Sequence, residues 1–400
     1  MIRFDDQATL ADLIGAEASR LVVEFRRDLH RHPEIGMETF RTAEKVEEAL
    51  RTLGVEEIRR FAGTGVAARI PGERPGPTIG FRADMDALPI AEETGLEYAS
   101  EVPKCAHLCG HDGHAAGLLA FAAWVMRHRR FAGSVLLIFQ PGEEGYAGAD
   151  KMIREGLFEV YPCREVFAIH AAGKSPLGEI RVKPGAMMAS VDVPTFVVEG
   201  RGGHGGRPHQ TVDPVPAAAE LILALQTIVS RNVDAADSAV VSLCALEAGD
   251  MKAPTVIPAR VSIRGTVRTH DPKVQDLIER RMRETAEGIG LATETTISLD
   301  YARVYPPQMN DPELFAALEP VLAERYGRER MTTDFRPGMG GEDFAFMSAA
   351  VPGIYIQLGI DDDDHSAPLH SPKFSFNERV LPMWTDLFAT ILRARLPLED

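Results

Sequence analysis

The chain has 400 residues, a formal net charge of −16 and 45% hydrophobic residues, a composition that suits a globular protein of two domains. The acidic balance argues against nucleic acid or an anionic membrane as a partner, because both require clustered Lys and Arg. The sequence lacks the run of about 20 apolar residues that spans a bilayer, and its first residues do not resemble a signal peptide. Four cysteines are too few for a disulfide framework, so we expect a cytoplasmic protein.

The first part of the chain alternates helices with buried strands. Its predicted elements are helix at 10–53 broken near Pro33 and Gly36, strands at 66–70 and 77–83, a helix at 114–130, and strands at 134–140 and 166–170. The strand at 134–140 is apolar without alternation, which is typical of a strand buried on both faces of a parallel sheet. This alternation of strands and helices predicts an α/β domain.

The pattern changes near Met187. Strands of alternating polarity and two charged amphipathic helices then follow in the order β-α-β-β-α-β, which is the split βαβ unit of a ferredoxin-like domain. We therefore predict an inserted α+β domain at residues 187–303. Residues 1–186 and 304–400 would form the α/β domain around it.

Residues that bind metals recur just after predicted strands, where α/β enzymes build their sites. Cys109 and His111 open the buried helix, His170 ends a strand, and His370 lies in a loop near the C-terminus. Thiol and imidazole ligands suit zinc and similar ions. Each residue could also have a structural role without metal, since a buried Cys, a hydrogen-bonded core His or a solvated loop His is common.

The adjacent pair Glu143-Glu144 follows an apolar strand and a Pro-Gly turn. Two neighbouring carboxylates are often only a solvated loop. Such a turn can also send the two side chains in different directions. One carboxylate could then bind metal while the other takes a proton from water, which is the division that metal-assisted hydrolysis requires.

Two glycine-rich segments lie at 200–209 and 338–344. The first lacks the Lys-Ser or Lys-Thr of a phosphate-binding loop, so it is a plain turn or a loop that brings His204 to a substrate. In the second, the glycines allow close backbone approach, while Glu342 and Asp343 suit helix caps as well as a site. The pair His30 and His32 is typical of a helix end.

Seven motifs, taken in order, resemble the aminoacylase and carboxypeptidase-like amidohydrolases, in the branch of hippurate hydrolases, N-acyl-amino-acid deacylases and plant auxin-conjugate hydrolases. They are RADMDALPI (82–90), HLCGHDGH (107–114), FQPGEEG (139–145), GRGGHGGRPH (200–209), GTVRT (265–269), GGEDF (340–344) and LHSP (369–372). The resemblance covers nearly the whole chain. It implies a zinc-peptidase-like α/β catalytic domain with an inserted ferredoxin-like lid that dimerises.

The resemblance also implies two divalent metal ions (Zn, Mn, Co or Ni) that share a cysteine ligand in this branch. The implied metal ligands are Cys109, His111, Glu144, His170 and His370. Glu143 matches the general base, and His204 matches the histidine that polarises the scissile carbonyl, often from the partner subunit. We further predict substrate contacts at Arg268, Gly340 and Gly341, and a supporting role behind the ligands for Asp86 and Asp112.

The predicted activity is hydrolysis of an N-acyl-amino acid by a homodimer or a dimer of dimers. Two alternatives remain at this point: an amidase with Cys109 as its nucleophile, and a non-catalytic protein that binds acyl-amino acids. Two positions depart from the wider family. Asp84 stands where relatives carry a histidine ligand, and Thr255 stands where they often carry Asn, which puts the substrate in question.

Overall fold

The computed structural model describes residues 3–398, and it divides the chain into two compact units. Unit 1 contains Met1–Gly185, Met309–Arg336 and Asp343–Asp400, and unit 2 contains Ala186–Gln308 and Pro337–Glu342. The chain therefore forms the first part of unit 1, then most of unit 2, and then the rest of unit 1. Across residues 3–398, no helix combines the length and the apolar character needed to cross a membrane.

Unit 1 is built on a sheet of eight strands. In chain order its elements are α1 (Leu10–Ile14), α2 (Ala16–Arg31), α3 (Phe40–Thr52), β1 (Glu57–Phe61), β2 (Gly65–Pro71), β3 (Arg74–Asp84), α4 (His111–Arg127), β4 (Ala132–Gln140), α5 (Gly148–Arg154), α6 (Leu157–Val160), β5 (Cys163–Pro176) and β6 (Ile180–Arg181). A short strand β7 (Gly185–Met188) follows.

Unit 2 contains four long strands and two long helices. Its elements are β8 (Val191–Glu199), β9 (Gly203–His204), α7 (Pro214–Asn232), β10 (Ala239–Ala248), β11 (Val256–Ile257), β12 (Arg260–Thr269), α8 (Pro272–Thr293) and β13 (Thr296–Tyr305). After β14 (Gln308–Asn310), unit 1 resumes with α9 (Pro312–Tyr326), β15 (Met331–Thr332), α10 (Phe344–Ala350), β16 (Gly353–Asp361) and α11 (Leu381–Arg395).

The sheet of unit 1 has the strand order β1-β2-β4-β3-β5-β16-β6-β15. The prediction of a parallel sheet around residues 134–140 is wrong in one respect, because β4 pairs parallel with β3 but antiparallel with β2. Helix α4 packs on this sheet with all its residues from His111 to Val125 buried. Its small and apolar side chains leave it no polar face, so it can lie only in the interior.

Strand β5 is longer than its sequence pattern predicts. It continues from Cys163 to Pro176, so His170 lies within the strand rather than at its end. Pairing with β3 stops at Arg82↔Ala168, while pairing with β16 continues through Ala172. His170 therefore lies just beyond the last residue pair between β3 and β5, at the carboxyl edge of the parallel strands.

Unit 2 has the β-α-β-β-α-β order of a ferredoxin-like domain. Its antiparallel sheet has the order β10-β12-β8-β13, and α7 and α8 cover one face of it through a core that includes Phe196, Leu221 and Ile278. Both helices begin with an Asp cap followed by proline: Asp213 accepts from the Val215 amide, and Asp271 from the Lys273 amide. These are strong helix start signals, which explains why the helices were predictable.

Candidate metal centre

The N-terminus of α4 presents Cys109 and His111 at the edge of the unit 1 sheet. Gly110 between them adopts a left-handed conformation (φ 89°), which turns the chain sharply into the helix. Both side chains are buried. A Cβ at Gly113 would lie 2.4 Å from the Phe376 ring, so this turn packs tightly and holds the two residues in place.

The turn that carries Glu143 and Glu144 is fixed by a buried aspartate. Asp86 accepts the Glu143 amide at 2.9 Å and the Glu144 amide at 3.2 Å. Its Oδ1 also lies 3.5 Å from His111 Nδ1. Gly142 and Gly145 on either side have positive φ, which gives the turn its shape. Asp86 therefore contacts both the turn of the carboxylate pair and one imidazole.

The five side chains predicted to bind metal converge in unit 1. Cys109 Sγ lies 3.3 Å from His370 Nε2 and 3.7 Å from His170 Nε2. Glu144 Oε1 lies 3.4 Å from His370 Nε2 and 3.9 Å from His111 Nε2. Donor atoms of Cys109, His111 and Glu144 all lie within 4.8 Å of one another. A thiol, three imidazoles and a carboxylate thus face one small volume.

The electrostatics of this cluster favour a thiolate. Burial opposes ionisation of Cys109, but His111 and His170 outweigh it and lower the pKa of the thiol to about 6. Hydrogen bonding to Cys109 and then to Glu144 raises the pKa of His370 to about 10. Thiolate and carboxylate beside several imidazoles form a donor set of the kind that holds zinc and similar ions.

The hydrogen bonding of three buried atoms in this cluster indicates whether a cation fits there. Both ring nitrogens of His111 and Oε1 of Glu144 are buried, and none of them makes a hydrogen bond of good geometry within residues 3–398. Buried polar atoms normally have partners, and leaving one unpaired costs about 1–3 kcal/mol. Divalent cations would satisfy these atoms, so the residues fit the metal ions that the motifs imply.

His370 is held in an uncommon backbone conformation. Its φ is 65°, in the left-handed region that few residues other than glycine adopt. Its amide donates to the Leu108 carbonyl at 2.7 Å, next to Cys109. This bond fastens the C-terminal loop to the start of α4, so the strain has a structural reason.

Asp112 belongs to a buried ionic network on the far side of the α4 N-terminus. Its Oδ2 accepts from Arg26 Nε at 2.9 Å and lies 2.8 Å from His30 Nδ1. His30 Nε2 lies 3.2 Å from Glu92. The prediction of a helix end is confirmed for His30, which lies in the last turn of α2, and the structure adds that its ring is buried between two carboxylates. Asp112 anchors the first turn of α4 to α2, one residue after His111.

In unit 2, β9 pairs with β11 and presents His204. The Gly206 amide donates to His204 Nδ1 at 2.9 Å, so the neutral ring carries its proton on Nε2. Elsewhere in this unit the predicted contacts Arg268 and Gly341 are neighbours. A Cβ on Gly341 would lie 3.5 Å from Arg268 Nη1 and 2.3 Å from Val191, so only glycine fits there. A Cβ on Gly340 would lie 3.1 Å from Met188.

Sequence reasoning gave no role to three buried residues next to the ligands: Arg82, Asp84 and His114. Asp84 accepts from Arg82 at 2.8 Å and lies 2.6 Å from His114 Nδ1. Asp84, His111, His114 and His170 also form a second buried group of possible metal-binding side chains. The motif HDGH (111–114) contained the signal, because a second histidine one helical turn after Gly110 is costly to bury without a partner.

A carboxyl edge of parallel strands that carries a buried thiol, imidazoles and paired glutamates defines a metal-dependent hydrolase. The chain belongs to Peptidase family M20/M25/M40, whose sequence profile matches residues 80–394. It is thus a metal-dependent amidohydrolase of that family, and the resemblance and the mixed α/β fold class predicted from the motifs are confirmed.

Curated relatives match the chain over most of its length. It is 37% identical over 368 residues to the hippurate hydrolase of Campylobacter jejuni, covering 92% of this chain and 94% of that protein. It is 36% identical over 376 residues to an N-acetylcysteine deacetylase of Bacillus subtilis, with 92% and 95% covered. An IAA-amino acid hydrolase of Arabidopsis thaliana is 35% identical over 376 residues, with 92% and 84% covered.

A solved structure from Bacillus subtilis, described as a dinuclear metal binding peptidase of the M20 family, is similar throughout. Its TM-score is 0.81 at 32% identity, with 95% of this chain and 98% of that chain covered. The dinuclear metal binding named for that neighbour agrees with the clustered donor atoms of this chain.

Proposed function

We propose that the chain hydrolyses the amide bond of N-acyl-amino acids, releasing a carboxylate and a free amino acid. The observation that carries this proposal is the convergence of five donor side chains beside Glu143. They would hold two divalent ions, with Cys109, His111, Glu144, His170 and His370 as ligands. The activities named for the relatives support the substrate class.

The two cations, once bound, would polarise the acyl carbonyl and lower the pKa of the attacking water. In the proposed reaction Glu143 accepts a proton from that water as its oxygen attacks the carbonyl carbon. Glu143 then delivers the proton to the leaving nitrogen as the carbon–nitrogen bond breaks. The carboxylate is buried and its turn is fixed by Asp86, which favours a defined position for proton transfer.

Unit 2 would contribute the groups that hold the substrate. His204 has an Nε2–H donor suited to the oxyanion that develops in the reaction, because its Nδ1 already accepts from Gly206. Arg268 suits the carboxylate of the amino acid, since a guanidinium pairs with a carboxylate in two parallel hydrogen bonds. In this proposal His204 acts either within its own subunit or in the site of a partner.

A homodimer, or a dimer of dimers, is part of the proposal. Strand β10 is an edge of the unit 2 sheet, and apolar side chains around it and on α7 are exposed, with Leu246 at 56% and Leu223 at 71%. An open strand edge flanked by apolar residues favours pairing with a second copy.

The test replaces Glu143 by Gln, which keeps the shape of the side chain and removes its basicity. We expect kcat to fall by about 10²- to 10⁴-fold with two ions still bound. The assay uses N-acetyl-, N-benzoyl- and indole-acetyl-amino acids with protein loaded with Zn, Mn, Co or Ni, and metal content is measured in parallel. Glu144→Gln is the matched control, for which metal content itself should fall.

Near-normal turnover by Glu143→Gln with both ions bound would contradict the assignment of the base. The cysteine-nucleophile alternative predicts activity that survives chelation and is lost on thiol alkylation. Our proposal predicts loss with a chelator and recovery on adding metal.

A further inference from the structure

A chain of buried hydrogen bonds runs from β3 to the proposed ligand His170. Arg82 Nη1 donates to Asp84 Oδ2 at 2.8 Å, and Asp84 Oδ1 lies 2.6 Å from His114 Nδ1. His114 Nε2 lies 3.0 Å from the Ala171 amide nitrogen. The carbonyl of the same residue, Ala171, lies 2.8 Å from His170 Nδ1.

The Ala171 backbone determines which ring nitrogens carry protons. Its amide can only donate, so His114 Nε2 must accept, and the proton of the neutral His114 ring lies on Nδ1. That proton is donated to Asp84. Both nitrogens of His114 are therefore used within the protein, and neither has a lone pair left for a cation.

At the other end of this series of hydrogen bonds, His170 has the same Nδ1–H tautomer as His114, but its Nε2 faces Cys109 rather than a backbone amide. The Ala171 carbonyl can only accept, so His170 Nδ1 carries a proton and Nε2 keeps its lone pair. Nε2 is the atom that lies 3.7 Å from Cys109 Sγ. Hydrogen bonds of this kind behind a metal-binding imidazole fix its tautomer and its orientation.

At this point of the sheet, His114 provides the hydrogen-bond acceptor that a neighbouring strand would otherwise provide. Strand β3 pairs with β5 only as far as Arg82↔Ala168, so it does not reach the Ala171 amide. Nε2 of the His114 ring accepts the hydrogen bond of that amide instead. The ring packs against the ring of His170, 4.4 Å away between centroids and tilted, and against the ring of Trp384, 5.1 Å away and nearly parallel. Contact with two buried rings and two hydrogen bonds hold the His114 ring in one orientation.

We propose that His114, held by Asp84, is a positioning residue that orients the metal-binding nitrogen of His170, and that neither His114 nor Asp84 binds metal. This inference rests on the proposed function in one respect, the role of His170 as a ligand. It divides the second buried group of possible ligands into metal-binding members, His111 and His170, and supporting members, Asp84 and His114.

The first experiment reads the tautomers by long-range ¹H–¹⁵N NMR of histidine rings in the metal-free protein and after addition of Zn²⁺. The His114 signals are assigned by their loss in His114→Gln. We expect His114 to show the Nδ1–H pattern before and after Zn²⁺, whereas the Nε2 signal of His170 shifts on binding. A Zn²⁺-dependent shift of His114 Nε2 as large as that of His170 would overturn the proposal.

The second experiment measures the binding of Zn²⁺ and Co²⁺ by titration calorimetry and by the Co²⁺ absorption spectrum. His114→Phe keeps the stacked ring and removes both hydrogen bonds, and we expect it to bind two ions with one affinity weakened by about 10- to 100-fold. His114→Gln can still accept from Ala171 and should lose less. His128→Gln, at the C-terminal end of the same helix, is the matched control and should bind metal normally.

Wild-type affinity for both ions in His114→Phe would overturn the proposal, and so would complete loss of one ion in His114→Gln, since that marks a ligand. If His114→Phe does not fold, the comparison of His114→Gln with Asp84→Asn decides. The amide oxygen introduced by Asp84→Asn can still accept from His114, so this variant should bind two ions, whereas a ligand role for Asp84 predicts loss of one. None of these readouts requires turnover, so they stand apart from the outcome of the activity assay.

Discussion

At the scale of single residues, Cys109 is the unusual member of the donor set. The family resemblance implies that Cys109 is shared by two ions, at a position where relatives outside this branch use an aspartate. A thiolate is a soft ligand that favours zinc, while a carboxylate is hard and favours manganese. The identity of this one residue should therefore affect which metal the centre prefers, while the imidazoles and Glu144 set where the ions lie.

This argument predicts the behaviour of Cys109→Asp. We expect it to bind two ions and to shift the preference from Zn²⁺ towards Mn²⁺ by about tenfold or more, measured by competition titration. Cys109→Ala, which removes the donor, should bind at least one ion far more weakly. An unchanged Zn²⁺ to Mn²⁺ ratio in Cys109→Asp would mean that the thiol does not contact the ions.

Sequence patterns indicated the proposed ligands because ligand-type residues recur near predicted strand ends and at the start of the buried helix. The structure brings those side chains together. The role of His114 could not be predicted in this way. Its partner is the Ala171 amide, and that amide needs a side-chain partner only because β3 stops short of it. No local pattern records where two strands distant in sequence stop pairing.

At the scale of elements, α4 depends on close packing at a glycine. A Cβ at Gly117 would lie 2.5 Å from the Trp384 ring, the ring that stacks on His114. Gly288, inside α8, has open space around it, with nothing within 4 Å of an added Cβ. The two positions are both helix-interior glycines and differ in what surrounds them.

Gly117→Ala should therefore lower the free energy of unfolding by about 1–3 kcal/mol through overpacking. Gly288→Ala should raise it by about 0.5–1 kcal/mol, because alanine is the better helix former. Chemical denaturation of both variants measures the difference. Equal effects at the two positions would show that Trp384 moves aside without cost.

Long periodic elements were predictable and short ones were not. The long strands and helices of unit 2 follow from apolar periodicity and helix caps, and the buried helix α4 follows from its long run of small and apolar residues. Strands of two residues such as β6 and β9 are too short to carry a period, and their pairing depends on distant partners. The extension of β5 past His170 depends in the same way on β16, which is far along the chain.

At the scale of the whole molecule, every proposed metal ligand lies in unit 1. A ligand that binds only the folded state stabilises it by mass action, by about 2.7 kcal/mol at one hundred times its Kd. Metal loading should thus slow hydrogen exchange in α4 and β5, while amides in α7 and α8 should change little. Hydrogen exchange with mass spectrometry measures both. Equal protection of the two units would contradict this separation.

The position of β16 has a consequence for synthesis of the protein on the ribosome. This strand lies between β5 and β6 in the sheet, yet roughly 190 residues separate the starts of β5 and β16. At 5–20 residues per second, one edge of β5 stays uncovered for roughly 10–40 s while unit 2 is made and can fold by itself. The nascent chain thus exposes an apolar strand edge during this time, which is the kind of surface that chaperones bind and that aggregates when it stays uncovered.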